Sequence, residues 1–432
     1  MSILSQFKQS QNTDFPNVRP SLDLRFALAK KLDPRITFTR GSTGTYFGSD
    51  GLMRTAGVNE PRFDHDPITG QSLGLLVEES RTNLVRNNTA QGAVAGTPGT
   101  LPTNSYVYTV PSGITPQVIS VGTENGITYF DVRFYGVSSQ NGELSWVPQT
   151  GTNTPITGGQ VVSASTYLKV VSGTFANITN LSVRILDYNG ASYLAESSTT
   201  VSASSLQSST LTRYSHTRTT NGSANGVVFS ITLNKTSAGP VDITLRIGMP
   251  QIEVGSFPTS VIPNSSISST VTRSADNASM TGTNFSSWYN SSEGTLYANA
   301  KSNGNTTQIT GIAALNSGTG AYRVDLRYYQ GGNSNTFFNG VGGGGGLLSR
   351  TSGFSLTNPK FVVSYASQNV NFCVDSSLIS SRASAFVPSP LVNTLRIGTF
   401  DSGTSVYLNG TISRLTYYPL ALTNKQLINL TS

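Results

Sequence analysis

His65, one of two histidines in the chain, lies between two carboxylates, Asp64 and Asp66, in the segment FDHDPITG. These residue types could bind a metal ion or perform general acid–base catalysis. Consecutive strand residues point to opposite faces, so Asp64 and Asp66 should share a face while His65 points away. Three consecutive ligands do not converge easily on one ion, and His216 lies far along the sequence. The pattern therefore favours a turn over residues 66–70, DPITG, with proline second and a glycine free to adopt positive φ.

A pair of acids, Glu78 and Glu79, ends the apolar run LGLLV. We expect one carboxylate to face solvent and the other to pair with an arginine such as Arg62 or Arg81. If this part of the chain packs against neighbouring subunits, such pairs would fix orientation more than they add affinity.

The composition is polar but weakly charged. Asp, Glu, Lys and Arg make up 11% of the chain, against a typical quarter, and there are 43 glycines, 18 tyrosines and 19 phenylalanines. Aromatic and β-branched residues between Gly, Asn and Ser turns favour strands over helices. We predict an all-β protein in which a charged N-terminal docking arm precedes two β-sandwich domains of the jelly-roll type.

The net charge of +7 includes no Lys/Arg run longer than Lys30-Lys31, so no nucleic-acid partner is expected. No stretch approaches 18 consecutive apolar residues, and the N-terminus shows no signal-peptide pattern. We therefore expect the chain to be made in a reducing cytoplasm and not to insert into a membrane. The single cysteine, Cys373, alternates like a buried strand residue.

Charge divides the chain into segments. Residues 1–88 hold 20 of the 49 charged residues in a fifth of the length, and are predicted to form the docking arm from short strands and hairpins. Residues 89–262 carry about seven apolar or alternating runs, which is typical of a β-sandwich. Residues 263–279 are predicted as a linker, and residues 280–432 as a second β-sandwich.

Two predictions concern the arm. Leu24, Leu28 and Leu32 recur every four residues, which fits a helix ended by Pro34 as well as it fits extended chain. The residues TYFGSDGLMR indicate a hairpin around an Asp-Gly turn.

Three more predictions concern the rest of the chain. The glycine run at 340–346 indicates a loop tip. Thr423 is placed to cap a last short helix that carries Leu427 and Leu430. Trp146 and Trp288 are expected in the core or at a domain seam.

The arm resembles a segment that recurs near the N-terminus of tail, fibre and other virion proteins of tailed bacteriophages, over LDPRITFTRGSTGTYFGSDGLMRTAGVNEPRFDHDPITGQSLGLLVEESRTNLV. The stretch RIGMPQIEVGSFPTSVIP is similar to the strand and linker that close a carbohydrate-binding-module-like sandwich in those proteins. The stretch VTRSADNASMTGTNFSSWYNSSEGTLYANA looks like the entry to a concanavalin A-like (laminin G-like) jelly roll. The stretch SVYLNGTISRLTYYPLALTNKQL looks like the closing strand and helix of that jelly roll.

The resemblance implies a virion structural protein assembled in the host cytoplasm, a tail-fibre or appendage subunit whose arm contacts other virion proteins. It implies contact with host surface glycans and a homo-oligomer, with a trimer favoured. A capsid decoration or head-appendage protein without receptor binding is the alternative. A glycan depolymerase is disfavoured because few acids follow residue 88 for the required carboxylate pair, so we expect no enzyme activity.

Two sets of candidate residues follow. Sugar binding needs exposed aromatic faces beside planar polar groups, and the densest such patch comprises Tyr322, Arg323, Asp325, Arg327, Tyr328, Tyr329, Phe337 and Phe338, although a sandwich strand with alternate core residues would give the same pattern. The predicted docking residues are Arg40, Arg54, Arg62, Asp64, His65, Asp66, Glu78, Glu79 and Arg81. The acids after residue 280 are too widely spaced for a calcium site, and neither a metal nor another cofactor is expected.

Overall fold

The computed structural model describes residues 15–149, 154–207, 210–303, 309–318, 322–329, 333–339, 345–350, 359–381, 387–400 and 406–432. Within them the chain forms two compact units. Unit 1 comprises residues 15–51, 56–79 and 275–432, and unit 2 comprises residues 52–55 and 80–274. Both are β-sandwiches, which confirms the predicted all-β class.

The elements are numbered in chain order. Residues up to 79 contain β1 Leu22–Leu24, α1 Phe26–Ala29, β2 Thr37–Thr39, β3 Gly44–Phe47, β4 Met53–Ala56, β5 Arg62–His65 and β6 Ser72–Val77. Residues 80–274 contain β7 Arg81–Asn83, β8 Tyr106–Thr109, β9 Ile114–Glu124, β10 Ile127–Ser138, β11 Gly142–Val147, β12 Thr154–Pro155, β13 Val161–Gly173, β14 Ile178–Asn189, β15 Ser192–Val201, α2 Ala203–Leu206, β16 Thr212–Thr219, β17 Gly226–Lys235, β18 Gly239–Val254 and β19 Val271–Arg273. Residues 275–432 contain β20 Asn277–Thr281, α3 Thr283–Ser286, β21 Gly294–Ser302, β22 Thr310–Asn316, β23 Arg323–Tyr329, β24 Asn333–Asn339, β25 Gly345–Arg350, β26 Lys360–Ala366, β27 Asn369–Val374, β28 Ser377–Ser381, β29 Thr394–Ile397, β30 Gly410–Tyr418 and α4 Asn424–Thr431.

Unit 1 is built from two sheets whose apolar faces pack on each other. Sheet A has the order β28-β27-β26-β21-β30-β6-β5, with β1 beside β30, and sheet B has the order β2-β20-β29-β22-β23-β24-β25. Their shared core includes Leu75, Leu296 and Leu415 from sheet A and Leu326 and Leu395 from sheet B.

The N-terminal strands belong to this sandwich, which differs from the predicted boundaries at residues 88 and 280. Strand β6 pairs with β30, with Leu75 opposite Ile412, and β2 pairs with β20 in the other sheet. The physical reason is that Leu75 and Val77 complete the apolar face of sheet A, so the arm and the C-terminal segment bury each other. The predicted linker contains β19, which pairs with β7 in unit 2.

Unit 2 is a second sandwich. Sheet C has the order β16-β13-β18-β10-β9, and sheet D has the order β15-β14-β17-β11-β8, with β12 beside β17. Alternation in β10 sends Phe130 and Phe134 into the core, where they meet Trp146 and Phe229 from sheet D. The period-two pattern of the sequence thus fixes which side chains face outwards.

The start of the arm contains both of the structures that the leucine spacing allowed, extended chain and helix. Strand β1 is followed by one helical turn, α1, which Lys30 ends in the left-handed conformation at φ 50°. Strands β3 and β4 flank a turn in which Gly51 has φ +73°, as the Asp-Gly pair indicates.

The C-terminal helix α4 is confirmed. The hydroxyl of Thr423 and the side chain of Gln426 form a capping box, and Leu427 is buried against the outer face of sheet A. Cys373 is also buried there, with its sulfur 3.2 Å from the Thr431 hydroxyl. Residues 340–344 of the glycine run lie outside the described residues, and its last two glycines begin β25 rather than ending a loop.

Candidate functional site

The predicted turn at residues 66–70 is confirmed. Asp66 Oδ1 accepts hydrogen bonds from the backbone N–H groups of Ile68 and Thr69, at 2.9 and 2.8 Å. Gly70 donates to the Asp66 carbonyl and has φ +69°. The hydrogen bonds from Thr69 and Ile68 lower the pKa of the Asp66 carboxyl, the one from the Thr69 N–H most strongly. The Asp66 carboxylate therefore stabilises a turn.

Asp64 and His65 are consecutive on β5, and both contact Phe47 of β3. The pairing of β5 with β6 shifts register between them: Asp64 lies opposite Gly74 and His65 opposite Ser72, so the extra residue of the bulge is on β6. Asp64 accepts a hydrogen bond from the Phe47 N–H at 2.7 Å, and His65 Nδ1 lies 2.9 Å from the Phe47 carbonyl oxygen. Both side chains therefore bind the backbone of one residue, and His65 must carry its proton on Nδ1 to donate.

Four charged residues of unit 1 form a buried group, the arginine–carboxylate cluster of Arg40, Arg62, Glu78 and Asp276. Arg40 Nη1 donates to Asp276 Oδ1 at 3.0 Å, and Arg62 Nη2 donates to Asp276 Oδ2 at 2.5 Å. Arg62 Nη1 also pairs with Glu78 Oε2 at 2.8 Å, the pairing expected for one of the two glutamates. All four side chains are at most 1% exposed, so the charges compensate each other away from solvent.

The other predicted docking residues vary in exposure. Arg54 is exposed on β4, and Glu79 and Arg81 are half-buried. The Glu79 N–H donates to Asn409 Oδ1, and Arg81 Nη1 donates to the Val254 carbonyl. The expectation that the arm's charges contact neighbouring subunits therefore does not hold for Arg40, Arg62, His65 and Glu78, which are buried within their own chain.

Asp64 should make the stability of unit 1 depend on pH. Burial raises the pKa of Asp64 to about 6, against an ordinary value of 3.8. Between these values the folded chain holds a proton that the unfolded chain releases, so this contribution to stability is present below about pH 4 and is lost as pH rises to 6. Asp64→Asn should raise the unfolding free energy at pH 7 by about 1–3 kcal/mol. It should also reduce the slope of the unfolding free energy against pH.

Urea unfolding at pH 4, 5, 6 and 7 measures the effect of Asp64→Asn. Asp66→Asn is the matched control, because its folded-state pKa is lowered and its removal should act in the opposite sense. An unchanged slope in Asp64→Asn would contradict the assignment.

The predicted glycan patch on β23 and β24 is divided between core and surface. Tyr328 and Phe338 lie in the core of unit 1, and the Tyr328 hydroxyl donates to the Ala300 carbonyl at 2.7 Å, so neither ring can offer a face to a sugar. Tyr322 is half-buried against the same core. The side chains of Tyr329 and Phe337 lie outside the described residues.

The charged members of that patch point to the other face of sheet B. Asp325 is fully buried and accepts from Arg327 Nε at 2.8 Å, and Arg323 Nε lies 3.2 Å from the same carboxylate. The guanidinium carbons of Arg323 and Arg327 lie 5.0 and 4.3 Å from the ring centre of Phe400. The structure thus brings the polar members together while Tyr328 and Phe338 face the core.

A more exposed aromatic surface lies on the outer face of sheet D in unit 2. Val107 lies opposite Trp146 on the core side of the sheet, so Tyr106 and Tyr108 of β8 point outwards. On β14 and β15, Tyr188 lies opposite Tyr193. We name Tyr106, Tyr108, Tyr188 and Tyr193 the tyrosine face.

The four rings form one connected set. The hydroxyl oxygens of Tyr108 and Tyr188 are 3.2 Å apart, although β11 and β17 lie between their strands. Ring centres are 6.1 Å apart for Tyr106 and Tyr108, and 5.9 Å apart for Tyr188 and Tyr193. Tyr108 is 40% exposed and Tyr193 is 52% exposed, which is unusual for side chains of this size.

Small side chains on the intervening strands leave room for these tyrosines. Ser145 of β11 and Ser230 and Thr232 of β17 are buried, and their hydroxyl oxygens lie 2.6–3.0 Å from each other. Larger residues at these outward positions would separate the tyrosine rings of β8 from those of β14 and β15.

Arg184, Glu143 and Glu196 share the outer face of sheet D with the tyrosines, and Glu196 lies three residues along β15 from Tyr193. Arg184 pairs with Glu143 through two hydrogen bonds, at 2.8 and 2.7 Å, and with Glu196 at 3.3 Å. Burial raises the pKa of Tyr188, and its contact with Tyr108 acts in the same direction. The Tyr188 hydroxyl therefore stays neutral at physiological pH and can both donate and accept hydrogen bonds.

Sheet C presents tyrosines that are already covered. The guanidinium of Arg246 lies 3.5 Å from the ring centre of Tyr129 and pairs with Asp131. The guanidinium of Arg133 lies 4.6 Å from the ring centre of Tyr135. These rings are occupied by cations of their own chain, so the tyrosine face of sheet D is the better ligand-binding candidate.

Reasoning from the sequence did not identify the tyrosine face. Its signals are the alternation Tyr-Val-Tyr at 106–108 and the two tyrosines that flank the turn at Gly190. Neither signal specifies that β8 and β14 lie in one sheet with their tyrosines on the same face, which is a property of the topology.

Among the described residues, no three or more His, Cys, Asp or Glu side chains are grouped so that they could hold a metal ion. Over the same residues, no helix is long and apolar enough to cross a membrane.

Parts of the chain are similar to solved structures at low sequence identity. Ruminococcus gnavus IT-sialidase CBM40 bound to α2,3 sialyllactose is 16% identical, with 33% of this chain and 84% of that chain covered and a TM-score of 0.28. Domain 4 of AbnA, a GH43 arabinanase from Geobacillus stearothermophilus in complex with arabinotriose, is 14% identical, with 37% and 73% covered and a TM-score of 0.29. The botulinum neurotoxin serotype D binding domain is 13% identical, with 36% and 40% covered and a TM-score of 0.27. No protein-family model and no curated protein sequence matches the chain.

Proposed function

We propose that the protein binds glycans through the tyrosine face of unit 2. The observation that carries this proposal is the connected set of four tyrosines, two of them well exposed, on the same sheet face as a guanidinium and two carboxylates. Aromatic rings bury the C–H faces of sugars, while neutral hydroxyls and planar polar groups bond to the sugar hydroxyls.

Removing the two exposed rings should weaken binding. In the full chain, Tyr108→Ala combined with Tyr193→Ala should weaken glycan binding at least about tenfold, because stacking on each ring contributes on the order of 1 kcal/mol. Binding is measured on a glycan array and then by calorimetry with the best ligand.

The matched control is Tyr135→Ala, a tyrosine of the same unit on sheet C. It should bind as the unaltered chain does, and both variants should keep their melting temperature within a few degrees. Equal binding by the double variant and the unaltered chain would overturn the proposal.

The resemblance of the N-terminal segment supports a setting for this activity. In this proposal the chain is a fibre or appendage subunit of a tailed-phage particle, carried as a homotrimer, and unit 1 is a concanavalin A-like sandwich. Gold-labelled antibody against the chain should decorate the tail of particles in electron micrographs. Labelling of the head instead would favour a decoration protein, and absence of label would refute the virion setting without affecting glycan binding.

A further inference from the structure

The ionisable groups of the tyrosine face bear on which glycans it can accept. Acidic sugars such as sialic and uronic acids carry a carboxylate, which proteins recognise most strongly with arginine or lysine. A face that binds them must therefore offer a cation whose hydrogen-bond donors are available to the ligand.

The strands of sheet D contain two cations, Arg184 and Lys235. Lys235 points away from the tyrosine face, is 2% exposed, and donates from Nζ to the carbonyl oxygens of Ser138, Gln140 and Ser237. It is therefore committed to the backbone of its own chain.

Arg184 is also committed. Its Nη1 and Nη2 atoms bond to both oxygens of Glu143, and Nη1 also reaches Glu196. Burial works against the charged form, but the hydrogen bonds and charges of the two glutamates prevail and raise the pKa of Arg184. The guanidinium therefore stays charged and neutralises carboxylates that the protein itself supplies.

The outward-facing charges of sheet D thus sum to −1, from one arginine and two glutamates. A ligand carboxylate would have to displace a glutamate from Arg184 and would then lie beside the displaced negative charge. Sugar hydroxyls meet no such penalty, because carboxylates accept hydrogen bonds from them.

We propose that the tyrosine face selects neutral glycans and excludes acidic ones, and that Glu143 and Glu196 are the residues that set this selectivity. This inference rests on the proposed function, since it concerns the ligand class of the same site. In this inference the two glutamates select between neutral and acidic glycans, whereas stacking on the rings does not distinguish them.

The test uses the full chain and pairs of ligands that differ in their acidic groups, such as lactose with 3′-sialyllactose and methyl-esterified with unesterified oligogalacturonates. Neutral members should bind at least about tenfold more tightly than their acidic partners, a difference that shrinks as salt is raised from 50 mM to about 1 M. Binding only of acidic members, or equal binding of both, would overturn the inference while leaving glycan binding intact. Binding of neither would refute the proposed function itself.

The variant that tests the mechanism is Glu143→Gln combined with Glu196→Gln, which keeps the shape of both side chains and frees the charge of Arg184. It should gain affinity for the acidic ligands by about tenfold or more, the order expected for one ion pair near a protein surface, and should gain none for the neutral ligands. The matched control is Glu124→Gln on sheet C, where the carboxylate pairs with Lys169 and Arg246. No gain for acidic ligands in the folded double variant, or an equal gain in the control, would overturn the role of the glutamates.

Discussion

Replacing Asp276 with alanine should lower the unfolding free energy of unit 1 by about 3–5 kcal/mol, a large part of the stability of an ordinary domain. Asp276 is the shared partner of Arg40 and Arg62, and its Oδ2 also accepts the backbone N–H of Glu78 at 2.9 Å. Its loss would leave two buried guanidinium groups with one carboxylate between them. The cost is that of uncompensated buried charge and exceeds the value of the lost hydrogen bonds.

The two tryptophans allow this loss to be measured for unit 1 alone. Trp288 is buried in unit 1 and Trp146 is buried in unit 2. In a Trp146→Phe background, fluorescence during urea unfolding therefore follows unit 1. The control is Asp33→Ala, which removes a more exposed pair with Arg35 and should cost less than about 1 kcal/mol. Similar losses in Asp276→Ala and Asp33→Ala would contradict the role assigned to the cluster.

A chain in which residues 80–274 are replaced by a short glycine linker should fold, whereas residues 280–432 expressed alone should not. Within unit 1 the Asp276 N–H donates to the Glu78 carbonyl at 2.9 Å, so about three glycines can join Glu79 to Ala275. The fragment 280–432 lacks β1 and β6, which pair with β30, and β2 and most of β20, which belong to sheet B. It would expose the apolar faces that these strands cover.

Circular dichroism and Trp288 fluorescence distinguish the two chains, since both contain this residue. The deletion chain should show a cooperative thermal transition, and the fragment should aggregate or show none. Unit 2 provides the control, because its ends are joined by the pairing of β7 with β19, and residues 80–274 should fold alone with Trp146 buried. A cooperative, native-like transition for residues 280–432 would refute the shared sandwich.

Strands were predictable from the sequence wherever the period of two is strong. The run ITYFDVRFYG alternates apolar and polar residues, and it forms β10 with the expected faces. Strand β15, SYLAESSTTV, has no such period, because its side towards β16 carries Ser197 and Thr199, whose hydroxyl oxygens lie 2.7 and 3.0 Å from the ring nitrogens of His216. Polar residues that are satisfied by a partner on another strand give no local hydrophobic signal.

The domain division and the candidate site could not be predicted because both depend on long-range pairing. The charges of residues 1–88 indicate a separate segment, yet Arg62 finds its partner 214 residues away in Asp276. The tyrosines of β8 and β14 likewise meet only because two strands with small outward residues lie between them. Local sequence patterns therefore predict neither the pairing of Arg62 with Asp276 nor the meeting of these tyrosines.

The shared sandwich of unit 1 has a consequence for the time course of synthesis. Glu79 and its hydrogen-bond partner Asn409 are 330 residues apart, so at about 5–20 residues per second roughly 15–70 s pass between their syntheses. Throughout that interval β6 has been made but its neighbour β30 has not, and the apolar residues of β6 have no native partner strand on that side. Unit 2 is complete before then, and its pairing of β7 with β19 brings the two ends of the intervening segment together, which shortens the loop that unit 1 must close. The order of synthesis thus makes the middle of the chain the first part able to finish folding, and the N-terminal strands among the last.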